Sequence, residues 1–411
     1  MKTSKQIIKR NWSNLFCLNF VGVLNDNFMK HSIIFVATLW QLPDYLNKST
    51  IISIISASLV IPYILLSPFA GDIAQRKSKQ RIINIMKWIE IPIVLFAFLG
   101  FYFKSIVILA LSILLMGIQS CMYSPAKYGL IRDIEGENKV AFGSGIFEMM
   151  AFLGILLGTL LAGFIADHYT SWIVGLIMII LAALGVLLSK SLKINEQIKS
   201  KEKESHNPIL FLINTYKFTK KYHSLNSAIF GASLLWLVGG LLQMNVILHC
   251  TNTLSMNNTT SGIVLSMAAI GIALGCSITG IILKTKNPNI FIILGLVGVS
   301  LCMFMIIIFK PANYILHLLI FSTGVCGSLF QVPCLTIIQK APIGNKLASV
   351  LAYVNLLTFI FVLIGAVIFS ISTSLTNENS YIIFGIIAIL CIISIPLYIN
   401  QNTNTLPSEA K

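Results

Sequence analysis

The stretch LFCLNFVGVLNDNFMKHSIIFVATLW (15–40) sets the terms for the whole chain. It exceeds the ~20 predominantly apolar residues that cross a bilayer as a helix. Yet Asn25, Asp26, Asn27 and Lys30 sit in its middle. A charge in hydrocarbon is costly, so such side chains face a bundle interior or a watery cavity. Asp26 and Lys30 are four residues apart, on one helical face, where they can neutralise each other. A polar, two-signed patch inside a membrane helix is a candidate site.

The rest of the chain has the same character. Its 411 residues are 56% hydrophobic and 10% charged, with a mean hydropathy of +0.86; a soluble domain carries roughly 25% charged residues. Twelve apolar runs are predicted to span, near 13–40, 50–73, 82–103, 105–126, 140–166, 171–189, 225–249, 260–283, 289–309, 313–339, 347–372 and 381–399. The expected fold is an all-α membrane protein of twelve transmembrane helices in two pseudo-symmetric six-helix halves. The halves are 1–189 and 225–400, joined by a cytoplasmic linker at 190–224 and followed by a cytoplasmic tail at 401–411. The linker mixes both signs and reads as solvated. Within it, 209–222 is either an amphipathic helix at the interface or a continuation into the seventh span.

The net charge of +15 raises a nucleic-acid partner, which its distribution argues against. With the N-terminus inside, the Arg76–Arg81 cluster, Lys127 to Lys139, the Lys190-to-Lys221 segment, Lys340 and Lys346 all fall on one side. Only Lys48, Lys104 and Lys310 fall on the other. This is the positive-inside pattern, and it places both termini in the cytoplasm. The basic start resembles a signal peptide, but no small-residue cleavage site follows and the apolar run is too long. Eight cysteines without a Cys-x-x-Cys pair imply neither a disulfide framework nor a metal site. No cofactor is expected.

Within the spans, few residues can carry chemistry: Asp26 and Lys30, Glu148, the histidines, and the polar neighbours Asn25, Asn27, Gln243 and Asn355. Glu90 has Lys87 three residues before it, and Lys87 is expected to snorkel to the interface. Gly154-x-x-x-Gly158 and Gly271-x-x-x-Gly275 are close-packing signals. Pro62, Pro68, Pro92, Pro125 and Pro333 mark positions where a helix can kink.

The loop Gly71-Asp72-Ile73-Ala74-Gln75-Arg76-Lys77-Ser78-Lys79-Gln80-Arg81 is similar to the cytoplasmic loop signature of the major facilitator superfamily. Gln75 stands where that signature has an acid and Ser78 where it has its second glycine. The resemblance implies a gating loop of Gly71, Asp72, Arg76, Lys79 and Arg81, with Asp72 supplying the missing carboxylate. LNDNFMKHSIIF (24–35), YILLSPFAGDIA (63–74), YSPAKYGLI (123–131) and GIFEMMAFLGILLGTLLAGFIAD (145–167) together resemble the lysophospholipid transporter branch of that superfamily. The second half has weaker echoes.

That resemblance implies a flippase of the bacterial inner membrane, moving lysophospholipid from the outer to the inner leaflet by alternating access, where an acyltransferase re-esterifies it. The family's acid, lysine and glutamate fall on Asp26, Lys127 and Glu148, with Tyr128 beside the lysine. Where some members carry an arginine, this chain has Gln243. A phosphate calls for a lysine and an ammonium for a carboxylate, so such a site suits a two-signed head group. The expected partners are the lysophospholipid substrate, membrane lipid and, through a functional link, an acyltransferase, and the expected state is a monomer. A proton-coupled efflux pump or small-solute carrier of the same fold is the alternative, although the fifth span lacks the Gly-Pro pair of efflux antiporters, reading Gly158-Thr159. A membrane enzyme fits poorly, because no histidine has an aspartate five residues on.

Overall fold

The computed structural model of the chain describes residues 2–37, 40, 48–166, 171–196, 206–256, 258–283, 287–312 and 314–399. Among these it is helical with no strand. The helices are α1 (Lys2–Ala37), α2 (Lys48–Arg76), α3 (Lys79–Tyr102), α4 (Ile106–Glu135), α5 (Val140–Ala166) and α6 (Ser171–Lys190). After the linker come α7 (Pro208–Thr219), α8 (His223–Leu248), α9 (Asn258–Ile282), α10 (Pro288–Phe309), α11 (Tyr314–Lys340), α12 (Leu347–Leu375), α13 (Ser380–Ser394) and α14 (Pro396–Ile399). In a bilayer only closed hydrogen-bonding schemes survive, and a helix satisfies its own backbone.

Local sequence sets the ends. Ser78 and Ser105 cap α3 and α4 by accepting from the backbone N–H groups of Arg81 and Ile108. Asn287 caps α10, with Pro288 in its first turn. Gly136, at φ +68°, closes α4. The five prolines noted in the sequence all lie inside continuous helices.

Eleven stretches of the described residues are long and apolar enough to cross a membrane. The predicted span missing from them is the first. At 36 residues α1 has ample length, but its basic start and central polar residues dilute its apolar character. Of the linker expected to be solvated, residues 191–196 and those from His206 on are described. Residues 191–196 are held down: Asn11 donates to the Lys193 carbonyl (2.6 Å) and accepts from its N–H (3.0 Å), and Gln80 exchanges hydrogen bonds with Ile194. Residues 197–205 and 401–411 lie outside the described residues. Helix α7 is separate from α8, ended by a hydrogen-bonded turn at 220–222. It buries Phe211, Thr215 and Thr219 and exposes Ile209, Leu210, Ile213 and Tyr216.

The chain forms two compact units that do not follow the sequence halves. Unit 1 is Met1–Gly136, Leu153–Thr215 and Asn345–Leu356; unit 2 is Glu137–Phe152, Tyr216–Gly344 and Leu357–Lys411. The start of α12 thus packs with first-half helices, and the start of α5 with second-half helices. Glycine makes both exchanges possible. In unit 1, a Cβ on Gly71 of α2 would lie 2.7 Å from Ala352 Cβ of α12; in unit 2, a Cβ on Gly145 of α5 would lie 2.5 Å from the Cys276 carbonyl and 2.7 Å from Gly280 Cα of α9. With a six-span offset, the two contacts are counterparts. Gly154 and Gly158 pack α5 on α1, and Gly271 and Gly275 pack α9 on α11, as their spacing indicated.

The core of unit 1 positions the site. Phe28, Met29 and Ile33 of α1, Ile93, Val94 and Ala97 of α3, Met116 and Ile113 of α4, and Met178 and Ala182 of α6 form one apolar cluster. The next turn of α1, α3 and α4 toward their basic ends is polar on the same faces.

Candidate functional site

That polar layer is a buried network with equal numbers of carboxylates and ammonium groups. Glu90 lies at its centre. It accepts from Lys87 Nζ (2.6 Å), Asn25 Nδ2 (2.6 Å) and Gln119 Nε2 (3.4 Å). Ser120, next to Gln119 on α4, is 2.7 Å from Asp26 Oδ2 and 3.1 Å from Gln119 Oε1. A chain of polar contacts therefore links the Lys87–Glu90 pair to Asp26. Two helical turns further, Lys127 donates to Asn19 Oδ1 of α1 (2.9 Å). The Tyr123 ring lies beneath both ammonium groups, with its centroid 5.0 Å from Lys87 Nζ and 5.1 Å from Lys127 Nζ. Tyr128 is 5.6 Å from Lys127.

Exposure separates these residues. Lys87 and Glu90 are 2% and 1% exposed, whereas Asp26 and Lys127 are half-buried. Lys87 does not snorkel outward as the sequence suggested. It turns inward because two glycines leave it a path: a Cβ on Gly22 of α1 would lie 2.9 Å from Nζ, and one on Gly185 of α6 would lie 3.1 Å from Cδ. Among the buried side-chain atoms of the layer, Asn25 Oδ1 and the Tyr123 hydroxyl have no hydrogen-bond partner.

The expected Asp26–Lys30 pair is not formed. Asp26 bonds Ser120 instead, and the charges acting on it are those of Glu90, Lys87 and Lys127. The helical register explains this: Asp26 faces α4, and Lys30 makes no ion pair among the described residues. Asn27 turns back to the Val23 carbonyl of its own helix (2.8 Å). Asn355 donates to Ser124 Oγ (2.9 Å), one residue from Tyr123, within unit 1. Glu148 and Gln243 belong to unit 2; Glu148 is buried and its carboxylate acts electrostatically on the Cys276 thiol, and Gln243 is exposed.

The sequence reading passed over Asn19, Lys87, Glu90, Gln119, Ser120 and Tyr123 as site residues. The signal available for the last three was their spacing. With Lys127 they fall at i, i+1, i+4 and i+8, one polar face on an otherwise apolar helix.

The loop residues form a second polar group in unit 1. Arg76 holds the fully buried Asp72 with two hydrogen bonds, Nε to Oδ1 at 2.9 Å and a second to Oδ2, and His206 Nε2 is 3.2 Å from the same carboxylate. Lys79 crosses Gly129 to pair with Asp133 of α4 (2.5 Å). Arg81 is exposed. Gln75 is buried, and neither polar atom of its side chain has a hydrogen-bond partner. Glu196 sits on the N-terminus of α3, accepting from Ser78 Oγ (2.5 Å), Lys79 N (2.6 Å) and Gln80 N (3.1 Å). No cluster of three or more His, Cys, Asp or Glu suited to a metal ion occurs among the described residues.

Comparison with known proteins agrees with this architecture. The chain is 24% identical to the lysophospholipid transporter LplT of Yersinia enterocolitica over 344 residues, 82% of this chain and 80% of that protein. It is 23% identical over the same shares to LplT of Yersinia pestis. Among solved structures, the human organic anion transporter MFSD10 superposes with a TM-score of 0.76 at 13% identity, covering 95% of this chain and 99% of that one. A bacterial homologue of the iron transporter ferroportin, in an outward-facing state, gives 0.75 at 13% identity, covering 94% and 98%. At such identities the structures show the fold alone. The profile of the Major Facilitator Superfamily matches residues 15–366, so this chain belongs to that superfamily as a multi-pass membrane transporter.

Proposed function

We propose that the protein moves lysophospholipid from the outer to the inner leaflet of the bacterial cytoplasmic membrane by alternating access, supplying a membrane-bound acyltransferase with its acceptor. Both termini are then cytoplasmic and the working unit is a monomer. The observation that carries this reading is the half-exposed pair of opposite charges on α1 and α4. Asp26 is held by Ser120 and Lys127 by Asn19. Ser120 and Lys127 are seven residues apart on α4, or about 10 Å along its axis. Because a lysine side chain leans toward the N-terminus of its helix, Lys127 reaches back over Tyr123 toward Asp26. A carboxylate and an ammonium at that spacing complement the ammonium and phosphate of a zwitterionic lipid head. The resemblance to LplT proteins supports the lipid, and no covalent step is needed.

The test is transport of labelled lysophosphatidylethanolamine between leaflets of proteoliposomes. Asp26→Asn should cut the rate at least tenfold, and a wild-type rate in that variant would return Asp26 to a packing role. The buried Glu148 and Glu90 keep a second reading in view, a proton-coupled carrier of small solutes. Collapse of the proton gradient should leave lipid movement intact; strict dependence on it, with uptake of cationic drugs, would favour the second reading.

A further inference from the structure

The network holds more charge than a head group can reach. Lys87 and Glu90 are fully buried, yet they lie in the electrostatic field of Asp26. They bond each other at 2.6 Å, and polar contacts through Gln119 and Ser120 lead from Glu90 to Asp26. Lys87 also shares the Tyr123 ring with Lys127. The layer formally contains two carboxylates and two ammonium groups, so its net charge is zero before a ligand enters. In a low-dielectric interior, a neutral site tolerates a ligand of zero net charge and penalises one that brings an uncompensated charge.

We propose that Lys87 and Glu90 are specificity-determining residues that fix the net charge of the accepted head group, favouring zwitterionic over anionic lysophospholipid without touching either. The inference rests on the lysophospholipid reading and deepens it. Removing the Glu90 charge leaves a surplus ammonium beside the site, which compensates an anionic lipid. Removing the Lys87 charge leaves a surplus carboxylate, which repels one. Across a few ångströms at an effective dielectric of about 20, one such charge changes the affinity for a unit charge by roughly tenfold or more. A packing role for the pair would impair both lipids alike and in the same direction.

The experiment compares lysophosphatidylethanolamine with lysophosphatidylglycerol in proteoliposomes containing wild type, Glu90→Gln, Lys87→Gln or the double variant. The wild type should prefer the zwitterion. Glu90→Gln should shift the rate ratio toward the anionic lipid by roughly tenfold, Lys87→Gln should shift it the other way, and the double variant should return near the wild-type ratio. If one single variant cannot be purified, the other must still move in its own direction and the double variant must restore the ratio. Ratios within twofold of wild type in the single variants overturn the proposal while leaving lipid transport standing. A wild type that moves neither lipid overturns the transport reading instead. The charge rule is then decided by thermal shift with glycerophosphoethanolamine and glycerophosphoglycerol, where the same ordering upholds it and equal shifts overturn it.

Discussion

Gly145→Ala should pry apart the α5–α9 contact in unit 2. The added Cβ would stand 2.5 Å from the Cys276 carbonyl oxygen, 2.7 Å from Gly280 Cα and 3.1 Å from Gly280 N. Ordinary contact begins near 3.4 Å, so the two helices must separate by roughly 1 Å, and all three opposing atoms are backbone with no rotamer to relax. Overpacking of this kind costs about 1–3 kcal/mol. Alanine's better helix propensity returns at most about 1 kcal/mol. The contact should therefore weaken by about 1–2 kcal/mol, or five- to thirtyfold in the equilibrium between packed and parted helices. Cys276 is its own reporter, being fully buried in a cluster with Ala141 and Val332. With the other seven cysteines replaced by serine, its labelling by a water-soluble maleimide should rise five- to thirtyfold. Gly239→Ala on α8 is the control, because nothing lies within 4 Å of its Cβ, and labelling there should stay unchanged. Equal labelling of Cys276 in wild type and Gly145→Ala, with a raised melting temperature, would mean that propensity alone governs the position and that the close approach carries no weight.

Two other perturbations probe unit 1. Glu196→Gln removes the charge from the α3 N-terminus, where it accepts from Ser78, Lys79 and Gln80. It should cost about 1 kcal/mol and speed proteolytic nicking of the 191–208 segment several-fold in a timed trypsin digest. Lys87→Met strands the buried Glu90 and should destabilise by about 3–5 kcal/mol, whereas Lys87→Met with Glu90→Gln should recover most of that loss. Melting curves in detergent decide both, and equal losses in the single and double variants would show that the ion pair is not what Lys87 contributes.

Much of this arrangement is legible in the sequence, because the bilayer leaves one solution for each apolar run. The helices and the small-residue faces at Gly154/Gly158 and Gly271/Gly275 follow from local patterns. What escapes is anything that depends on where a distant helix lies. Asp26 has a suitable partner four residues away, and local spacing selects it. The structure rejects Lys30 because α4 brings Ser120 to the same carboxylate. Lys87 beside an interface-directed helix end reads as a snorkelling residue, and only Gly22 and Gly185, 65 residues before and 98 after it, reveal the path inward. The two units resist prediction for the same reason. Gly71 reads as part of a loop signature and Gly145 as an ordinary helix glycine until their partners, Ala352 and Gly280, are known.

The Lys87–Glu90 pair bears most directly on what the site is for. Burying two charges rarely stabilises a fold beyond what well-packed apolar residues of the same volume would achieve. The surrounding layer could accommodate such a replacement, since Phe28, Ile93, Val94 and Met116 continue the same faces one turn away. Instead the chain maintains a glycine on each of two helices to admit the lysine and adds Asn25 and Gln119 to satisfy the glutamate. That expense goes to electrostatics rather than to packing. A transporter whose cargo carries separated charges needs a binding layer that holds fixed dipoles in place while the cargo enters and leaves. A matched pair of buried charges does this without adding net charge to the membrane interior, and the opposite selectivity shifts expected of Glu90→Gln and Lys87→Gln follow from that requirement.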